Sequence, residues 1–112
     1  MSVKRIGSVL RVKPEHFEEY KRLHADVWPG VLAQIKKANI RNYSIFEKDG
    51  YLFSYMEYVG TNYEADMAAI GEDEETRRWW SVVGPLQDPL PTRKEGEWWA
   101  EMEQVFFYDG NE

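Results

Sequence analysis

A chain of 112 residues with 43% apolar and 15% aromatic side chains exceeds the size at which one core struggles to hold, and predicts a single domain over residues 1–112. A net charge of -6 argues against nucleic-acid binding, and no apolar run approaches the roughly 20 residues that span a bilayer. The absence of cysteine excludes disulfides, thiolate nucleophiles and thiolate metal sites, and a start at Met1–Ile6 without an apolar leader core makes the cytoplasm the expected compartment.

Residues Lys4 to Val12 place Ile6, Ser8, Leu10 and Val12 on one face and Arg5, Gly7, Val9 and Arg11 on the other, a period of two that predicts a strand. Lys13-Pro14-Glu15 opens a helix, with proline early and acids in the first turn. Phe17, Tyr20, Leu23, His24 and Val27 form one stripe of it, and Trp28-Pro29-Gly30 should break it. A second helical stretch carries Val31, Leu32, Ile35 and Ala38 and stops near Asn39.

Ile40–Glu47 and Tyr51–Val59 are β-rich runs joined through Lys48-Asp49-Gly50, a strong hairpin signal. Strict alternation in the first run sets Ile40, Asn42, Ser44 and Phe46 against Arg41, Tyr43, Ile45 and Glu47. Gly60-Thr61-Asn62 ends the hairpin and caps a helix with Tyr63, Met67, Ala68 and Ile70; another follows from Glu74 to about Val83. Gly84–Glu97, with Pro85, Pro89 and Pro91, reads as a loop long enough for a lid or a dimer arm. Ala100–Tyr108 alternates as a last strand, and Asp109–Glu112 should fray. The order β-α-β-β-α-β is the ferredoxin-like split pattern of an α+β fold, with helices on one face of an antiparallel sheet. The other face needs cover, and a second copy of the chain supplies it most simply, so a homodimer is expected.

The five Trp, seven Tyr and five Phe exceed what a small core can hide, so some rings should line a pocket or a subunit contact. Tyr20, His24 and Trp28 recur at helical spacing, and His24 lies near a helix end whose field favours the charged imidazole. Flat rings cover the C–H faces of sugars, and imidazole exchanges protons near neutral pH, so the group points to a sugar or polyol and to proton transfer. A half-buried packing histidine is the plainer alternative. His16 and His24 are two turns apart, wider than a helical zinc pair, so no metal site is expected. Trp79 and Trp80 point about 100° apart on a helix, so either one packs while the other faces a pocket or both are packing rings. Arg78 is a donor to a hydroxyl or a partner for the acids at 72–75, Tyr43 is either a donor or sheet packing, and Trp98-Trp99 read as dimer or edge packing. The serines carry no nucleophile elbow, and the glycines form no phosphate loop.

With those residues in place, the chain resembles the L-rhamnose mutarotases over nearly its full length. The resemblance is carried by Glu19-Tyr20-Lys21-Arg22-Leu23-His24, Val27-Trp28-Pro29, Arg41-Asn42-Tyr43-Ser44-Ile45-Phe46, Arg78-Trp79-Trp80 and Met102-Glu103-Gln104-Val105-Phe106-Phe107, in order. It implies a dimeric α+β barrel that interconverts the α and β anomers of L-rhamnose, or a close deoxy sugar, without a cofactor. It also implies His24 as proton donor and Tyr20, Tyr43, Trp79 and Trp80 as sugar contacts. Leu23 and Gly30 depart from the family pattern, where a basic and an acidic residue are common. Two other readings compete: a cofactor-free monooxygenase or haem-degrading enzyme on the same dimeric fold, and a non-catalytic sugar-binding dimer.

Overall fold

The computed structural model describes residues 2–111; the outermost residues of the expected domain, Met1 and Glu112, lie outside the described residues. Strand β1 (Lys4–Val12) buries Ile6, Ser8, Leu10 and Val12 on one face, as its period predicts. It pairs antiparallel with β3 (Tyr51–Tyr58) along nearly its whole length, and β3 pairs with β2 (Ile40–Lys48). Asp49 and Gly50 turn that hairpin with φ of 54° and 85°, the left-handed pair a two-residue turn requires.

The sheet order is β2-β3-β1-β4, where β4 is Gln87–Asp88, and β5 (Ala100–Met102) also pairs with β1. This is the ferredoxin-like arrangement with its last strand in two pieces. β4 lies opposite Arg11 and Val12, and β5 lies opposite Gly7, Ser8 and Val9, so residues 89–99 leave the sheet opposite Leu10 and return in register. The predicted loop Gly84–Glu97 therefore contains a 3-10 turn (Gly84–Leu86) and a strand, and Arg11 braces the exit through the carbonyls of Asp88 and Pro89. The last strand ends at Met102 rather than Tyr108: its alternation continues, but residues 103–108 find no ladder.

Strand β2 departs from strict alternation. Asn42 sits at φ 52°, and the register with β3 shifts between Arg41 and Ser44. The extra residue makes a bulge, so Ile40 and Tyr43 both face the helices instead of opposite sides.

A 3-10 turn (Pro14–His16) leads into α1 (Phe17–His24), and α2 (Pro29–Lys37) starts on proline after Trp28, which the following ring holds extended. Asn39 ends this stretch at φ 66°. The side chain of Asn62 caps α3 (Tyr63–Glu72) by accepting from the Ala65 amide, and Asp73 caps α4 (Glu74–Val83) by accepting from the Thr76 amide. Leu10, Val12, Tyr20, Leu52 and Leu86 form the packed core between sheet and α1. Val31, Trp79 and Val83 join α2 to α4. On the sheet's other face, Phe46 is 67% and Phe53 39% exposed.

Candidate active site

The helices do not close fully on the sheet. A cavity of about 470 Å³ remains at the α1 end, within the range of small-molecule sites. Helix α1 supplies Tyr20 and His24, one turn apart on one face. The bulged β2 supplies Tyr43 and Ile45, and α4 supplies Trp79, Trp80 and Val83. The broken edge strand adds Gln87 at its exit and Trp98 and Trp99 at its return.

Every residue singled out as catalytic or sugar-contacting, His24, Tyr20, Tyr43, Trp79 and Trp80, borders this one cavity. Trp79 is buried and Trp80 is 48% exposed, so adjacent helical positions serve as inner wall and rim. Arg78 does not line the cavity; it pairs with Glu74 at 3.7 Å in solvent. Trp98 and Trp99, read from sequence as dimer or edge packing, also line it. Gln87, Trp98 and Trp99 escaped because the excursion that folds them inward leaves no periodic signal. A second cavity of about 420 Å³ shares Tyr43, Trp79, Trp80 and Trp99 as walls.

The rings form a chain. Tyr20 stacks on His24 at 4.1 Å, the imidazole meets Trp79 edge-on at 5.2 Å, and Trp79 meets Trp28 edge-on at 5.2 Å. His24 Nδ1 lies 2.8 Å from the Tyr20 carbonyl oxygen, which can only accept, so Nδ1 carries the proton and Nε2 is the atom free to exchange one. Burial holds the His24 pKa below its ordinary 6.5, and the hydrogen bond to Tyr20 only partly offsets it. This reverses the expectation of a charged imidazole: removal from water outweighs the hydrogen bond that favours the charged form.

Burial also pushes the Tyr20 hydroxyl up to about 12, against a lowering by its Gln87 hydrogen bond. The Tyr43 hydroxyl is raised by burial although 41% of the residue surface is exposed. Both phenols are therefore neutral donors at ordinary pH. Among the described residues no cluster of three histidine or acidic side chains is placed to hold a metal ion, and no helix is long and apolar enough to cross a membrane.

A family model described as rhaM, L-rhamnose mutarotase, matches residues 5–108. The chain belongs to the L-rhamnose mutarotase family. It is 32% identical over 94 residues to the L-rhamnose mutarotase of Ligilactobacillus salivarius strain UCC118, covering 80% of this chain and 84% of that protein. It is 30% identical over 107 residues to that of Listeria monocytogenes strain EGD-e, covering 94% and 98%. Among solved structures it superimposes on the L-rhamnose mutarotase of Formosa agariphila with a TM-score of 0.75 at 19% identity, over 95% of this chain and 99% of that one. The tetracenomycin F2 cyclase of Streptomyces glaucescens shares the fold at a TM-score of 0.70 and 15% identity, over 94% and 96%.

Proposed function

We propose that this mutarotase-family chain interconverts the α and β anomers of L-rhamnose, with His24 exchanging the proton on which ring opening depends. Family membership carries the activity, that of an isomerase acting on a carbohydrate, and favours it over the monooxygenase, haem-degrading and purely sugar-binding readings. The observation that carries the site is the tethered imidazole: Nδ1 held on the Tyr20 carbonyl in a cavity walled by indole rings.

In the opening step neutral His24 Nε2 takes the proton of the anomeric hydroxyl. The C1–O5 bond breaks with its electron pair going to O5, which takes a proton from the Tyr20 hydroxyl, and C1 and O1 become a carbonyl. Rotation about C1–C2 presents the other face, and closure returns both protons, with the imidazolium now the donor. The order differs from a histidine that first protonates the ring oxygen, because an imidazole with a lowered pKa begins as an acceptor. Tyr43 contributes a hydroxyl contact, and Trp79 and Trp80 cover the apolar side of the pyranose, including its methyl group. No cofactor is required by this sequence of steps.

Saturation-transfer NMR of the anomeric protons tests it. Addition of the protein should speed exchange between the L-rhamnose anomers, and catalysed exchange unchanged in a folded His24→Ala variant would remove His24 from the mechanism. A homodimer is part of the proposal, supported by the apolar side chains on the sheet's uncovered face, Phe46 and Phe53 foremost. Sedimentation of wild-type protein and of Phe53→Lys should show a dimer that the variant weakens.

A further inference from the structure

The neck of the 89–99 excursion is closed by one side-chain hydrogen bond, and that bond determines the direction of two more groups. Trp98 Nε1 lies 2.7 Å from Gln87 Oε1. An indole N–H only donates, so the Gln87 atom facing it must be the oxygen. The other end of the amide is then the NH₂ group, which only donates, and it lies 3.5 Å from the Tyr20 hydroxyl oxygen. In that long contact the hydroxyl oxygen is the acceptor, which favours a hydroxyl proton directed away from Gln87. Among the described residues the Tyr20 hydroxyl has no other hydrogen-bond partner, and Tyr20 is one of the residues that line the cavity. Gln87 is itself only 7% exposed, and an amide buried this deeply keeps its orientation only while both ends are satisfied.

We propose that Gln87 is a positioning residue for the mutarotase reaction: held by Trp98, it turns the proton of the Tyr20 hydroxyl into the cavity, toward the sugar's ring oxygen. This role for Gln87 rests on the mutarotase activity proposed for the chain. It assigns to the excursion a task separate from covering the ligand, since its return at Trp98 fixes a hydrogen-bond polarity on α1, across the cavity. The order is Trp98 to Gln87 to Tyr20 to sugar, with each donor determined by the group before it.

The test is a double-mutant cycle read by anomer exchange. Gln87→Leu should lower kcat roughly tenfold with KM nearly unchanged, because the directed proton matters as the ring oxygen gains charge. Trp98→Phe, which keeps a ring on a half-exposed position, should act in the same direction with a smaller loss. In a Tyr20→Phe background the added Gln87→Leu change should cost less than about twofold, since the group it orients is already gone. A full tenfold loss in that background, or no loss in the Tyr20 protein, overturns the proposal. The Trp98 indole N–H resonance gives a readout independent of activity: slow solvent exchange in wild type that becomes fast in Gln87→Leu. Fast exchange in wild type overturns the clamp whatever the activity. A protected indole in a protein that accelerates no exchange overturns the mutarotase reading instead, and with it this role for Gln87.

Discussion

Two clusters share Leu23 as a neighbour and are built differently. Around Leu10 and Leu52, 0% and 1% exposed, mainly aliphatic side chains from β1, β3 and the 3-10 turn at Leu86 pack with Tyr20. Around Trp79, aliphatic packing by Val31 and Val83 is joined by edge-on contacts of the indole to His24 and Trp28. The cavity lies beside this second cluster. Tyr20 links the two: it packs in the first cluster with Leu10 and Leu52, stacks on the His24 ring that meets Trp79, and lines the cavity. The dense cluster thus fixes a group that the open one uses, which is how a small domain can hold a polar site rigidly.

That division predicts variants that separate activity from stability. The largest effect should come from His24→Ala, with catalysed exchange falling about 10²–10⁴-fold, equivalent to roughly 3–5 kcal/mol of barrier, while the fold persists. Leu52→Ala should do the reverse: a loss of about 2–5 kcal/mol in urea unfolding, with kcat in the surviving native fraction close to wild type. Should Leu52→Ala reduce kcat more than stability, the two clusters would not be separate in function.

The same contrast explains what could be read from sequence. The strand Lys4–Val12, the Trp28-Pro29 break and the Asp49-Gly50 turn are local, because period, proline and left-handed backbone each act within a few residues. Tyr20 and His24 were visible because one helical turn places them together, and Trp79 and Trp80 because they stand in a motif. The site's remaining wall is not local. Tyr43 faces inward only because Asn42 adopts a left-handed conformation, which strict alternation cannot anticipate. Gln87 and Trp98 meet only because the chain leaves the sheet and returns in register, and nothing in their spacing of eleven residues announces it. The low His24 pKa is likewise a property of burial that a helix-end argument misses.

A medium effect should follow at Asn42. Its φ of 52° is tolerated by asparagine and resisted by a β-branched side chain, so Asn42→Val should cost about 1–2 kcal/mol of stability. It should also raise KM for the sugar, because relaxing the bulge moves Tyr43. Asn42→Gly should keep the bulge and both properties, which distinguishes the backbone requirement from the side chain's hydrogen bond to Glu57. If Gly behaves like Val, the bulge is not what places Tyr43.

Acidity should affect the open cluster first. Between the lowered folded pKa of His24 and its ordinary 6.5 the unfolded chain binds more protons than the folded one, so stability rises with pH through that window and is lost as pH falls. Catalysed exchange should follow the same direction, with an acid limb below 6.5, because the proton acceptor must be neutral. A limb above 6.5, measured as kcat/KM against pH, would mean a charged imidazole and restore the opposite order of proton transfer.

The smallest effect is expected where the family motif meets solvent. Arg78 stands beside Trp79 in sequence, yet its partner Glu74 is on the exposed side of α4 and the pair is 3.7 Å apart with both side chains mostly in water. Removing such a pair changes stability by roughly 0.5 kcal/mol or less. Arg78→Ala should therefore leave unfolding and anomer exchange nearly at wild-type values, while Trp79→Ala, one position on, should disturb both, since that ring is buried against His24 and Trp28. If Arg78→Ala instead raised KM severalfold at constant stability, the guanidinium would have to leave Glu74 for the sugar. The cavity boundary would then extend around α4 to a face that the ring contacts of Trp79 leave outside it.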